Sequence, residues 1–182
     1  MKLRFNIIVA TDLEGGIGKN NNLPWRCRKE FRHFTDTTSK LQNGKQGAAV
    51  MGRKTWESIP EKFRPLKNRH NFVISSTLNV ANPGNVPVYK TISDCMTALD
   101  QDKDIGSVWI VGGWGIYKEA MESERLHRMY ITTVQGKFDC EVFFPSFDER
   151  NFNLVIDPDI PNETVTEDNG ISWSVSVYER KP

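Results

Sequence analysis

The chain has 182 residues, 38% of them hydrophobic, with 24 Lys and Arg against 23 Asp and Glu. A length of this order suits one domain, expected here over residues 1–182, and folding should bury roughly 70% of the extended chain's surface, enough to build a pocket. Cancelling charges leave no global field to recruit nucleic acid, and no apolar run approaches the roughly 20 residues of a membrane span.

In chain order, "LRFNIIVA" predicts a first strand, too short and too soon ended by Asp12 to be a secretory signal. The loop "DLEGGIGKNNNLP" follows, then a helix over about 26–38. "GAAVM" predicts a strand, a helix is expected over 53–59, and "IPEKFRPLKNR" reads as a loop before the strand "NFVIS". "NVANPGNVP" (79–87) is a turn-rich loop, "VPVYK" a strand, and 93–100 a helix with Ser93 as N-cap. "SVWIVGG" and a helix over 115–122 complete the alternating part, after which "MYITTVQ" and "SWSVSVYE" follow without a strong helix between them. Nearly continuous apolar strands suit a sheet covered on both faces, and cleaner alternation at the end suits antiparallel strands. The expected fold is therefore a single-domain α/β three-layer sandwich: a mixed, mainly parallel sheet of about eight strands, flanking helices and antiparallel C-terminal strands. Cys27, Cys95 and Cys140, odd in number and without a CxxC pair, suggest free thiols and a cytoplasmic location.

Several familiar chemistries are absent. There is no GxxxxGK[ST], no GxGxxG after the first strand, and His33, His70 and His127 lack metal-spaced partners, so no metal is expected. Two strand ends nevertheless look receptive to anions. Gly112-Gly113 precedes a helix start near Trp114 or Gly115, where free N–H groups can face phosphate. After Gly52, Arg53 and Lys54 stand with Thr55 at another helix start, a placement that opposes the helix dipole by about 0.3 to 1 kcal/mol per cation unless an anion lies between them. Two such ends suggest a dinucleotide with an extra phosphate. In the basic loop 60–70, Arg69 abuts a strand that could hold its planar fork for a carboxylate. Glu30 is the sharpest anomaly: it shares a helix face with Cys27, Phe31 and Phe34, where an unpartnered carboxylate is costly. Pairing with Arg26 or Lys29 is one reading. The other is a carboxyl in an apolar pocket, its pKa raised toward neutrality, facing a flat ligand with two adjacent N–H donors.

"GIGKNNNLPW", "EFRHF", "MGRKTWESIPEKFRPLKNR", "VWIVGGWGIYKEAM" and "FFP" resemble, in order and spacing, the motifs of dihydrofolate reductases of the eukaryotic type, from about Phe5 to Tyr178. The resemblance implies NADPH-dependent reduction of 7,8-dihydrofolate to tetrahydrofolate, with hydride delivered to pterin C6 and a proton to N5. It implies that Glu30 hydrogen-bonds pterin N3 and the 2-amino group, that Thr132 is the buried hydroxyl near this acid, and that Trp25 is the indole holding an active-site water. Ile8, Val9, Phe31, Phe34, Ile59, Leu66 and Val111 would wall the pterin and p-aminobenzoyl rings, and Arg69 would clamp the glutamate tail. Ala10, Ile17 and Gly18 would flank nicotinamide, with residues 12–22 as a covering loop. Arg53, Lys54, Thr55, Ser75, Ser76 and Lys90 would hold adenosine ribose and phosphates, alongside Gly112, Gly113, Trp114, Gly115 and Ile116, with a cis peptide within the glycine pair.

The pattern departs from the family at Ser76, where vertebrate forms carry an arginine, at Phe63 and Trp114, which replace smaller or polar residues, and after Trp25, where "RCRK" is one residue shorter than the vertebrate spacing. The family implies a monomer that takes a small-molecule substrate, is open to antifolate inhibitors and needs no nucleic acid or membrane. A flavin-precursor reductase of similar fold should lack the features at Glu30 and Arg69. A non-catalytic folate or nucleotide binder should bind NADPH without oxidising it.

Overall fold

A computed structural model describes residues 2–77 and 85–182; residues 79–84 of the loop expected at 79–87 lie outside the described residues. Strand β1 (Phe5–Thr11) is the hub, running parallel to both β6 (Ile105–Ile110) and β7 (Leu126–Val134). Strand β6 pairs in parallel with β3 (Gln46–Gly52), β3 with β4 (His70–Ile74), and β4 with the short β5 (Val88–Tyr89). On the other side β11 (Ser172–Arg180) lies antiparallel to β7, and β10 (Val165–Thr166) and β9 (Phe152–Val155) both pair antiparallel with β11. Among the described residues the main sheet thus has nine strands, eight in the order β10-β11-β7-β1-β6-β3-β4-β5 and β9 beside β11. A separate pair joins β2 (Gly16–Gly18) to β8 (Val142–Phe143).

Among the described residues four α-helices cover the sheet: α1 (Arg28–Ser39), α2 (Arg53–Ser58), α3 (Ile92–Leu99) and α4 (Trp114–Met121). The period-2 geometry of the strands divides their side chains between the two faces. Ile7, Val9, Ala48, Val50 and Ile110 pack with Cys95, Met96 and Leu99 of α3 and Tyr117 and Ala120 of α4. Their sequence neighbours Ile8, Ala49 and Met51 turn to the opposite layer, toward Phe34 of α1 and Trp56 of α2. Burial on both faces is why these runs read as continuous apolar stretches, and it realises the expected α/β sandwich.

One local expectation changes. Helix α3 begins at Ile92, and its cap is Thr91, whose hydroxyl accepts from Asp94 N at 3.0 Å. Ser93 lies inside the first turn; Thr91 has the extended backbone a cap requires and stands where its oxygen meets the third helical N–H.

Candidate active site

Ala10, Gly52, Ser75 and Val111 lie at or just past the carboxyl ends of β1, β3, β4 and β6, where open parallel sheets form their binding crevice. Two apolar walls meet there. Phe34 packs with Ile8, Trp109 and Tyr130 on one side, Ile59 and Leu66 pack with Met51 and Trp56 on the other, and Val111 touches both groups. Phe31 stays 63% exposed on the flank of α1, its ring centroid 6.2 Å from that of Phe34. Val9 is buried in the α3–α4 layer, so its side chain faces away from Ile8 and Ala10.

The inward surface of α1 is polar: its buried residues are Glu30, His33 and Thr38. Glu30 is 7% exposed, and among the described residues neither Arg26 nor Lys29 forms an ion pair with it. The Lys29 ammonium instead donates to the Thr166 carbonyl at 2.9 Å. Burial pushes the Glu30 pKa up to about 7; the Thr132 hydroxyl partly offsets this, and the negative charge of Glu167 adds to it. Thr132 stands on β7 directly beside Ala10 of β1. Its Oγ1, like the buried Trp25 Nε1, lacks a protein hydrogen-bond partner of full geometry among the described residues. Trp25 packs with Ala10 and Cys27, its ring edge-on to Phe138 at 5.3 Å. The group therefore pairs a carboxyl that exchanges its proton near neutrality with two buried polar atoms available to a polar ligand.

At the far end of the cleft the Arg69 guanidinium sits over the Phe34 ring at 5.9 Å and donates to Thr38 Oγ1 at 3.0 Å and to the Lys67 carbonyl at 2.9 Å. Asn71 holds this loop from beneath, accepting from Leu66 N at 2.8 Å and donating to the carbonyls of Leu66 and Arg69. Arg64 turns inward as well, donating to the Trp56 carbonyl and lying over its ring, so the basic loop presents Lys62 and Lys67 outward.

A seam of glycines marks the second half of the site. Gly52 N donates to the Gly112 carbonyl at 2.7 Å, and the Gly112-Gly113 peptide is cis. A Cβ on Gly52 would stand 2.9 Å from Ile116, and one on Gly112 or Gly113 would lie 3.3 to 3.4 Å from Thr55 Oγ1, so glycines let the backbones approach closely where α2 and α4 begin. A Cβ at Gly115 would meet nothing within 4 Å, leaving open space at the start of α4. Arg53, Lys54, Ser76, Lys90 and Trp114 are exposed; Arg53 approaches Glu57 at 3.7 Å, and the Lys118 ammonium covers the Trp114 ring. Ser75 is buried and exchanges a hydrogen bond with Thr77. Ile17 and Gly18 belong to β2, which Asp12 secures by accepting from Gly16 N at 2.8 Å, Glu14 N and Phe138 N.

Asn71, Thr38 and Glu167 were missed by sequence reasoning. Asn71 lies two residues after Arg69 and Thr38 one helical turn after Phe34, whereas nothing local marks Glu167, which lies in an Asn-Gly turn far along the chain. Among the described residues no three His, Cys, Asp or Glu side chains are grouped as a metal site requires.

The family profile described as "Dihydrofolate reductase" matches residues 4–180. Dihydrofolate reductase of Drosophila melanogaster is 42% identical over 180 residues, covering 98% of each chain, and that of Gallus gallus 41% over 181 residues, covering 96% of this chain and 95% of the other. The solved structure of Schistosoma mansoni dihydrofolate reductase superposes with a TM-score of 0.85 at 39% identity, covering 100% of both chains. With profile, sequence and fold agreeing over almost its whole length, the chain belongs to the dihydrofolate reductase family.

Proposed function

We propose that the chain reduces 7,8-dihydrofolate to 5,6,7,8-tetrahydrofolate with NADPH as reductant, placing hydride at pterin C6 and a proton at N5. The observation that carries this reading is the buried Glu30 carboxyl, its pKa at about 7, in a cleft that ends at a fixed guanidinium, Arg69. A pterin with a glutamate tail has matching chemistry: adjacent N–H donors on a flat ring and a carboxylate at the far end.

The residues present fit a dinucleotide carrying an extra phosphate, because the glycine seam presents bare backbone at two helix starts and cations stand on the exposed side of α2. Arg53, Lys54, Thr55, Ser75, Ser76 and Lys90 would hold its adenosine ribose and phosphates; Gly112, Gly113, Trp114, Gly115 and Ile116 would lie along its pyrophosphate; Ala10, Ile17 and Gly18 would flank the nicotinamide. When bound, NADPH supplies the hydride. Glu30 holds the pterin through N3 and the 2-amino group; since neither atom is N5, its carboxyl governs the proton supply electrostatically, with delivery by water or by substrate tautomerism. Trp25 Nε1 and Thr132 Oγ1 are the groups available to hold such a water. Ile8, Val9, Phe31, Phe34, Ile59, Leu66 and Val111 form the ring-binding surfaces, Val9 through its backbone. On this reading the chain is a cytoplasmic monomer, open to antifolates that compete for the pterin cleft; the inward-turned Arg64 and Arg69 argue against a nucleic-acid surface on the 60–70 loop.

The test is the loss of NADPH absorbance on adding dihydrofolate, measured for the wild type and Glu30→Gln across pH. Turnover by the wild type and a variant defect that is severe at neutral pH and shrinks in acid, where solvent protonates the substrate directly, support the reading. A defect of equal size at every pH removes the protonation role. NADPH binding without turnover removes the reductase assignment and points to a nucleotide binder.

A further inference from the structure

Helix α1 begins without a local cap. Cys27 occupies the N-cap position with extended backbone, φ −135° and ψ 92°, and its side chain makes no capping hydrogen bond. The first-turn N–H groups are instead met by a residue more than a hundred positions away: Lys29 N donates to Glu167 Oε1 at 2.9 Å and Glu30 N to Glu167 Oε2 at 3.1 Å. Trp173 Nε1 donates to the same Oε2 at 2.7 Å, and Glu167 is only 5% exposed. The carboxylate is held in turn by the β10–β11 hairpin, where Glu167 N donates to the Ile171 carbonyl at 2.8 Å.

We propose that Glu167 is a positioning residue for this site: it fixes the start of α1 through Glu30's own backbone N–H, and its negative charge adds to burial in opposing ionisation of the Glu30 carboxyl. The claim rests on the reading of Glu30 given above. A helix N-terminus carries partial positive charge that favours a carboxylate in its first turn, which is where Glu30 stands. An anion locked onto those same N–H groups cancels that advantage and adds direct repulsion. Burial by itself would raise the Glu167 pKa, but the N–H donors of Lys29, Trp173 and Glu30 and the charge of Lys29 outweigh it and hold Glu167 ionised.

The other groups around Glu30 carry no compensating charge. On α1's N-terminal side the Cys27 thiol is pushed up to about 11, mainly by burial, and is neutral. From α4 the Tyr117 hydroxyl is raised further, again chiefly by burial, and donates to the Ile8 carbonyl at 2.9 Å. From β7 comes the neutral Thr132 hydroxyl. One turn along α1, burial lowers the His33 pKa, and the ring lies against Trp173 at 5.8 Å. Burial sets the upward direction of the Glu30 shift, and Glu167 is the ionised neighbour that adds to it.

The experiment follows the Glu30 carboxyl by carbon NMR of protein labelled at the glutamate side-chain carboxyl, the resonance being assigned by its loss in Glu30→Gln. Three proteins are titrated: wild type, Glu167→Gln, and the double variant Cys27→Ser, Glu167→Gln, in which a neutral serine replaces the distant cap with a local one. The pH profile of turnover is recorded for each. The expected result is a wild-type midpoint close to neutrality that falls by roughly half a pH unit to one unit in Glu167→Gln and stays lowered in the double variant, with the turnover profile following. A midpoint that returns to the wild-type value in the double variant overturns the charge role and leaves only helix capping. So does a wild-type midpoint in the ordinary glutamate range, a result that needs no substitution at Glu167. If the NMR midpoint falls while the turnover profile stays put, the coupling of Glu167 to Glu30 stands, and the reading of Glu30 as controller of turnover is what fails. Should Glu167→Gln not fold, the double variant supplies the same comparison.

Discussion

Glu30→Gln should make the protein more stable at alkaline pH than the wild type, although it removes a charge from the proposed catalytic cleft. Burial raises the folded-state pKa of Glu30 from 4.5 to about 7, so between those values the native state binds a proton that the unfolded chain has released. Stability must therefore fall as pH rises through this window: the penalty is absent below about pH 4.5 and complete above about pH 7. At about 1.36 kcal/mol per pKa unit, the gap corresponds to about 3 kcal/mol. Glutamine keeps the shape and never ionises, so it escapes the penalty. The carboxylates held low by partners, such as Asp12, Asp100 and Glu179, contribute stability that is lost in acid, but they do so in both proteins and cancel from the difference. The assay is urea unfolding of wild type and variant at intervals from about pH 5 to about pH 8, comparing free energies at each pH. The variant should gain on the wild type by about 2.5 kcal/mol across the range, the rest of the difference being present already at about pH 5. Parallel curves would mean that Glu30 titrates as an ordinary glutamate, and the argument from burial would be wrong.

Arg69→Ala should weaken binding of folates that carry the glutamate tail by about 2 to 5 kcal/mol while sparing a tail-free pterin, measured by titration calorimetry; equal losses for both ligands refute the clamp. Thr38→Val removes the hydroxyl that receives Arg69 Nη1 and should give a smaller loss of the same selectivity. Arg53→Ala should lower the preference for NADPH over NADH in kcat/KM, and an unchanged ratio would place the extra phosphate elsewhere.

The alternating elements were legible because each strand that is buried on both faces must be apolar throughout, and each helix between them carries its own period. The short strands β2, β8, β9 and β10 were not anticipated, since two to four residues are too few to show a period and they exist only where a longer strand or loop offers a ladder. The odd position of Glu30 could be read from its apolar helical neighbours, but not which reading was right. A surface pair with Arg26 or Lys29 is equally compatible with the sequence, and only the docking of α1 on the sheet removes the carboxyl from water and leaves both cations outside. The cleft's far end was half visible: Arg69 beside a strand could be read, whereas Thr38 and Asn71, which fix its fork and its loop, come from packing. The cap of α1 lies furthest from what sequence can tell. A cysteine at the N-cap says that local hydrogen bonding is missing, yet nothing near it says what replaces it, because Glu167 reaches those N–H groups only after β11 has paired with β7 and carried its hairpin across the sheet. Sequence by itself determined the elements and the family pattern, which depend on neighbours along the chain. The charge balance around Glu30 was decided by tertiary structure, because it depends on groups that only folding brings within reach of one another.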